Sequence, residues 1–488
     1  MKRTCSIAAR IALCFLVSGA PATASQTAEA PRPNLLLAIA DDWGFPHAGE
    51  YADPVVRTPN FDRLAREGLR FSRAFCSSPS CTPSRGAILT GQHFWRLEEG
   101  ANLWSTLPAR FPVYPELLEQ AGYFVGHTRK GWGPGQLGER KRNPAGPEFK
   151  NFEQFLGQRP KGQPFCFWFG SQDPHRPYEP GTGLASGMDP AKIQLPAHLP
   201  DSEEVRSDVA DYYFEVQRFD REVGGLIQRL QAIGELDQTI VVMTADHGMP
   251  FPRAKANLYD AGTRVPLAIR WGEKIPRPGR VVTEFVNLAD LAPTFLEAAG
   301  VAVPKEMTAS SLLSIITSDD ERHAGPERDH VIFGRERHTQ AQEAPDGGGY
   351  PSRALRTSRY LYIRNFAPAR RPAGTANYLK SFLDRGWLGD CDNGPSKFYM
   401  WQHRNEASVR PHFARAFDLR PAEELYDLDR DPDQLDNVAG DPDHEKTRRE
   451  LSEQLMAELK AGGDPRVAGG GDKFDRYPYY GGVPTWPW

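Results

Sequence analysis

Short, unbroken apolar runs recur along this chain, and each stops at charged or turn-forming residues. Asn34–Ala40 (NLLLAIA) has the continuous apolar character of a strand buried on both faces, and it ends abruptly at Asp41-Asp42-Trp43-Gly44. Pro164–Gly170 (PFCFWFG) has the same character and delivers Asp173-Pro174-His175-Arg176-Pro177. Thr239–Thr244, rich in β-branched residues, runs into Ala245-Asp246-His247-Gly248. Leu69–Phe75, Tyr123–His127 and Val265–Trp271 predict further strands. Helices are predicted between them: one opened by Thr58-Pro59 and closed by Gly68, a short one over Tyr114–Gly122, and another over Asn287–Ala299. Val205, Val209, Tyr212, Val216, Phe219, Val223, Ile227 and Leu230 recur at spacings of three and four, which predicts a long helix with one apolar stripe against the core.

From about residue 330 the pattern changes. Val331–Glu336 and Arg353–Phe366 read as strands of a hairpin, Glu424–Leu428 as a later strand and Glu445–Leu459 as a closing helix. Residues 367–417 between them read as irregular. Their aromatics (Trp387, Tyr399, Trp401) and His403 predict a packed loop that faces the substrate rather than an unstructured one. The tail 477–488 is aromatic and Pro/Gly-rich and has no assignable element.

The N-terminus is made of different material. Lys2, Arg3 and Arg10 precede the apolar run Ile11–Val17 and a small-residue stretch ending Ala22-Thr23-Ala24, so residues 1–24 read as a secretory signal cleaved after Ala24. The run is too short to span a bilayer, and no later stretch qualifies. The expectation is an exported protein: periplasmic or secreted, or of lysosomal type in a eukaryote. Loss of those three cations moves the formal charge from −4 to −7. An acidic chain with no basic run excludes nucleic acid as a partner. Of the six cysteines, Cys5 and Cys14 leave with the signal. Cys76, Cys81, Cys166 and Cys391 have no metal-type spacing and admit few disulfides.

Candidate chemistry concentrates at a few places. Cys76–Gly91 reads as a loop turning into a helix, with Pro83 suited to its start and Gly91 to its exit. Cys81 then sits at the helix mouth, where free N–H groups favour an anion. Arg85, one turn deeper, can offer a fork to a tetrahedral oxyanion. A lone Cys there would read as a low-pKa thiol or a half-cystine. An isolated Asp pair after a strand would read as a turn or cap. Two acidic strand ends change that: Asp41, Asp42, Asp246 and His247 supply three carboxylates and an imidazole, a donor set for one divalent cation. Lys130 and His175 also follow strands, and Lys255 follows the second acidic end.

Cys81-Thr82-Pro83-Ser84-Arg85, followed by an apolar run and Thr90-Gly91, resembles the signature of the formylglycine-dependent sulfatases. The strand-end acids, Lys130 within Arg129–Gly135, His175 within Asp173–Tyr178, and Lys255 follow in that family's order. The resemblance covers nearly all of residues 31–460. The Lys130 segment lacks the family's histidine and has Gly131 and Trp132 in its place. The Pro250–Tyr259 spelling and Asp173–Arg176 are similar to the sulfamidase (heparan N-sulfatase) branch.

The resemblance implies an α/β fold, an alkaline-phosphatase-like sandwich with a central mixed sheet over residues 31–330. A smaller α+β domain with an antiparallel sheet would follow over 331–488. It implies conversion of Cys81 to formylglycine by a formylglycine-generating enzyme. Arg85, Lys130, His175 and Lys255 would then be catalytic, and the cation would lie among Asp41, Asp42, Asp246, His247 and position 81. Calcium is the family's usual ion; His247, where many members carry Asn, keeps manganese open. The substrate class is a sulfated saccharide, with N-sulfoglucosamine as first candidate. An O-sulfatase, a phosphonate or phosphodiester hydrolase, and, with Cys81 unmodified, a non-catalytic binder of sulfated glycans stay open.

Overall fold

In the computed structural model, which describes Met1, residues 32–319 and residues 328–487, the apolar runs become strands of one central sheet. These are β1 (Asn34–Ala40), β2 (Leu69–Phe71), β3 (Phe124–Arg129), β4 (Phe165–Gly170), β5 (Thr239–Ala245), β6 (Leu267–Arg270) and β7 (Arg280–Val282). Their order across the sheet is β7-β2-β6-β5-β1-β4-β3. β1 is parallel to β4 and β5, and β3 is parallel to β4. β6 runs antiparallel to β5 and β2, so the sheet is mixed. Every residue of β1, β4 and β5 is buried, which is why these runs are continuous and not alternating. Because β1, β3, β4 and β5 point the same way, their carboxyl ends share one edge, where open α/β sheets place ligands. Asp41-Asp42, Lys130, Asp173–His175 and Asp246-His247 all leave the sheet at that edge. The signal-like segment 1–24, with Cys5 and Cys14, lies outside the described residues apart from Met1.

Five helices matter here: α1 (Pro59–Glu67), α2 (Cys81–Thr90), α3 (Tyr114–Gln120), α4 (Glu203–Ala232) and α5 (Leu291–Ala298). The Ser202 hydroxyl caps α4 by accepting from the Val205 N–H at 3.2 Å. Its stripe Val205 to Leu230 is buried, each large side chain worth about 1.5–3 kcal/mol in surface removed from water. Sequence periodicity did not expose a second set of residues on the same helix, the buried acids Asp208, Asp211 and Asp220. They clamp the loops around the sheet: Asp208 pairs with Arg176, Asp211 accepts from the Gly181 and Gly183 N–H groups, and Asp220 accepts from Asn60 and Phe61.

A second, antiparallel sheet runs in chain order: β8 (His330–Arg335), β9 (Ser352–Thr357), β10 (Tyr360–Asn365) and β11 (Glu423–Asp427). Between β10 and β11 lie α6 (Pro395–Gln402) and α7 (Arg410–Phe417); α8 (Glu445–Ala461) follows. Leu451, Leu455 and Leu459 of α8 pack on Leu355, Tyr362 and Leu425 of the sheet.

Three local expectations change. Arg353–Phe366 is two strands folded at Ser358-Arg359, so the hairpin is a three-stranded meander. Residues 367–417 hold two helices, each opened by a proline in its first turn that reads in sequence as a breaker. Helix α2 begins at Cys81, two residues before Pro83, which takes the third helical position and still sacrifices no helical hydrogen bond. Among the described residues no helix is long and apolar enough to cross a membrane.

Candidate active site

Helix α2 is buried along its whole length and aims its first residue at the common strand edge. Gly91 ends it in the left-handed region (φ 59°), its N–H returning to the Ala87 carbonyl at 2.9 Å. Cys81 Sγ lies 3.3 Å from His247 Nε2 and 3.7 Å from Asp41 Oδ1. Burial pushes the thiol far above its ordinary range despite nearby Lys130. That direction is opposite to the one an activated thiolate needs. Cys76, Cys81, Cys166 and Cys391 are all free thiols.

The acids and bases of the strand ends interlock. Lys130 Nζ donates to both Asp41 carboxylate oxygens, at 2.7 and 2.5 Å. Burial alone would raise the Asp41 carboxyl; Lys130, His175, Arg85 and Lys255 more than offset it and hold the group well below its usual value. Lys255 Nζ donates to Asp42 Oδ2 at 2.8 Å and faces Asp392 Oδ2 at 3.0 Å. Against its own burial, Asp392 and Asp42 keep that ammonium charged well past its ordinary range. Asp246 Oδ1 accepts from the backbone N–H groups of Asp42 and His247, both at 3.0 Å. Asp42 sits at φ 77°, a left-handed conformation that turns its carboxylate back into the cluster.

Two glycine-dependent approaches shape the edge. A side chain at Gly170 would place its first carbon 1.7 Å from the Lys130 carbonyl, so only glycine lets the Lys130 loop cross the end of β4. Gly131, beside Trp132 in the segment that lacks the family's histidine, is equally crowded: a carbon there would collide with Asn143 and His127.

Arg85 differs from expectation. Its Nε donates to Asp246 Oδ2 at 2.8 Å, its Nη1 to the Lys130 and Gly131 carbonyls at 2.9 and 3.0 Å, and its Nη2 to Asp41 Oδ1 at 3.4 Å. The fork is thus taken up by the carboxylates and the Lys130 loop. Asp173 and Arg176 are likewise engaged elsewhere, with Arg218 and Asp208. That part of the sulfamidase-like spelling holds the scaffold. His175 does reach the site: Nδ1 meets the Arg176 carbonyl at 2.6 Å and Nε2 lies 3.9 Å from Asp42 Oδ2, on a side chain one-third exposed.

The cluster suits a divalent cation. Asp42 Oδ1 is buried with no hydrogen-bond partner, an arrangement that costs free energy unless something positive meets it. Asp42, Cys81 and His247 bring ligand atoms within 4.8 Å of one another, and so do Asp41, Cys81 and Asp246. His247 Nδ1 faces the Gly248 carbonyl at 3.1 Å, and a proton shared there would leave the Nε2 lone pair, which points toward Asp42 and Cys81, available to a cation.

Sequence reasoning missed two neighbours. Asp392 arrives from the segment before α6, and His338, from the loop after β8, meets Ser80 Oγ at 2.8 Å. Burial, with Lys255 nearby, keeps the His338 imidazole neutral. Neither lies in a recognisable motif; the only signal was the general one that the aromatic 367–417 segment should face the site.

The sulfatase family model matches residues 33–142 and 148–301, and a model described as N-sulphoglucosamine sulphohydrolase, C-terminal, matches 250–366. Human N-sulphoglucosamine sulphohydrolase is 28% identical, over 86% of this chain and 89% of its own length. An ulvan-active sulfatase of Formosa agariphila is 26% identical, over 89% and 76%. Among solved structures, one in complex with D-glucosamine-2-N,6-O-disulfate superposes with a TM-score of 0.63 at 20% identity, covering 89% of this chain and 98% of that one. The phosphonate monoester hydrolase of Agrobacterium radiobacter superposes with a TM-score of 0.66 at 17% identity, covering 90% and 97%. With its thiol, lysines and acids gathered at one sheet edge and the family model matching most of the first 301 residues, this chain belongs to the sulfatase family.

Proposed function

We propose that this sulfatase removes the sulfate of N-sulfoglucosamine residues in a sulfated saccharide, using formylglycine at position 81 and one divalent cation. The observation that carries the reading is the match of residues 250–366 to the N-sulphoglucosamine sulphohydrolase C-terminal model, on the same chain segment that brings Lys255 into the cluster. Asp41, Asp42, Asp246 and His247 would hold the cation, which supplies Lewis acidity and neutralises the sulfate. Calcium is the expected ion, and the His247 nitrogen admits manganese. Converted to formylglycine by its generating enzyme, position 81 supplies the hydrated aldehyde as nucleophile.

The chain's own residues do the rest. Lys130 and Lys255 bring two fixed positive charges to an anionic sulfate, where preorganised charge lowers the barrier most. Arg85 balances Asp41 and Asp246 and fixes the Lys130 loop, so its part is to position rather than to touch substrate. His175, with Nδ1 tied to a carbonyl and Nε2 turned inward, holds the proton for the leaving atom. Residues 1–24 would direct export and be removed, so the mature chain would begin at Ser25, with residues 31–330 as catalytic domain and 331–488 as the smaller one.

The test is kcat/KM for N-sulfoglucosamine against 6-O-sulfo-N-acetylglucosamine. Preference for the N-sulfated sugar is expected. A tenfold preference for the O-sulfated one, about 1.4 kcal/mol of transition-state binding, would refute the sulfamate reading. Faster turnover of an aryl phosphonate than of an aryl sulfate would place the enzyme with the phosphonate hydrolases.

A further inference from the structure

We propose that Asp392 makes this site selective for nitrogen, rather than oxygen, as the atom that leaves sulfur. The inference rests on the sulfamate reading above and adds the residue that enforces it. Asp392 is the acid that the C-terminal half contributes to the cluster: its carboxylate, His175 and Asp42 bring ligand atoms within 4.8 Å of one another. It therefore stands beside the imidazole that serves the leaving atom. Its Oδ2 is buried and accepts no hydrogen bond in good geometry, although Lys255 Nζ is 3.0 Å away. Lys255 already has a carboxylate partner in Asp42 at 2.8 Å, so neutralising Lys255 does not by itself require a second acid.

The segment that presents Asp392 is firmly held. The Lys397 ammonium donates to the carbonyls of Trp387, Leu388 and Cys391 at 3.0, 3.1 and 2.7 Å, and to Asn393 Oδ1 at 2.9 Å. Asp208, already paired with Arg176, accepts from both the N–H and the hydroxyl of Ser396 at the start of α6. Burial opposes the charge on Asp392, but Lys255, followed by His175, holds its carboxyl well below the usual range.

The chemistry explains what such an acid does. Hydrolysis of a sulfate ester returns the S–O bonding pair to oxygen, which takes one proton and leaves as a neutral alcohol. Hydrolysis of a sulfamate, R–NH–SO₃⁻ + H₂O → R–NH₃⁺ + SO₄²⁻, returns the S–N pair to nitrogen. Nitrogen must gain a proton before or as that bond breaks, because an amide anion is a far worse leaving group than an alkoxide; a second proton from water completes the ammonium. Positive charge thus develops at nitrogen and not at oxygen, and a fixed carboxylate beside it stabilises only the first case.

The experiment compares wild type, Asp392→Asn and Asp392→Glu on N-sulfoglucosamine and on 4-nitrophenyl sulfate, with glucosamine and inorganic sulfate as inhibitors of the aryl reaction. Asp392→Asn should lose about 100-fold in kcat/KM on the sulfamate, the scale of removing one preorganised electrostatic partner, and about twentyfold more than it loses on the aryl ester. Inhibition by glucosamine should weaken about tenfold and inhibition by sulfate should not. Asp392→Glu should recover part of the sulfamate rate. Equal losses on both substrates would mean that Asp392 only supports Lys255, and an unchanged sulfamate rate would remove it from the reaction; either overturns the proposal while leaving the sulfamate reading intact. A wild-type enzyme that turns over the aryl ester but not N-sulfoglucosamine would overturn both.

Discussion

Replacing Arg85 by methionine should remove a large share of this protein's stability, and the size of the effect follows from four contacts. The guanidinium is wholly buried, donating to Asp246 at 2.8 Å, to two carbonyls at 2.9 and 3.0 Å and to Asp41 at 3.4 Å. Methionine fills much of the volume but leaves Asp246 buried without its cation, and breaking a buried pair from one side costs about 3–5 kcal/mol. The Lys130 and Gly131 carbonyls lose their donor too, at about 1–3 kcal/mol for each buried group left unmet. These terms share one site and do not simply add, so about 4 kcal/mol is a floor, against a total stability of about 5–15 kcal/mol. Arg85→Lys keeps the charge but cannot span all four acceptors, and should fall between the two. Urea unfolding with a chelator present measures this without a contribution from bound metal. A loss below about 1 kcal/mol for Arg85→Met, with an unchanged denaturant slope, would refute the view that Arg85 holds the carboxylates together.

Cys81→Ala should abolish turnover and leave the unfolding midpoint within experimental error. The active wild-type protein should show by intact mass that one sulfur and two hydrogens have been exchanged for one oxygen, and a variant retaining a tenth of the activity would remove Cys81 from the chemistry. Chelation should inactivate the enzyme, and Asp246→Ala should not hold the single divalent ion that elemental analysis finds in wild type; a fully active, metal-free preparation would disprove the cation. His330 joins β8 to α8 through Glu458 at 3.0 Å, and that bond, against burial and with help from Asp329, raises its pKa to about 9. Since the folded value lies above the ordinary 6.5, this stabilisation is complete below about pH 6.5 and is lost as the pH climbs through about 9. His330→Gln should flatten the decline in stability over that window, and an unchanged pH profile would show that the pair contributes nothing.

What could be read from the sequence was whatever a short stretch of chain decides for itself. β1, β4 and β5 announced themselves because burial on both faces forces unbroken apolar runs, and the Cys81 helix because its exit glycine and proline act locally. Strand direction then did the assembling, carrying Asp42, Lys130, His175 and Asp246 to one edge. Contacts between distant segments left no trace. Lys255 and Asp392 meet across more than a hundred residues, and nothing in Cys391-Asp392-Asn393 marks an acid bound for a reaction centre. Spelling that matched the sulfamidase branch did not tell reagents from ties. Asp173 and Arg176 flank His175, and both are consumed by α4 through its Arg218 and Asp208, because a loop held this close to a reacting atom needs ties as much as it needs reagents.

The grip of Lys397 on its segment has a consequence for how the enzyme can be handled. Three carbonyls and an amide oxygen around a positive charge are the donor set of an ion-binding loop. Here the ion is tethered to α6 and has no dissociation constant. The wall over the reaction centre therefore needs no dissolved ion to hold its shape, although burial lowers the pKa of the Lys397 ammonium to about 8 and its charge is lost above that pH. Stripping divalent ions reaches the carboxylates of the strand edge while that wall stays in place. Protein loaded with one metal after another should therefore keep this segment in one arrangement, so that rates with different ions can be compared.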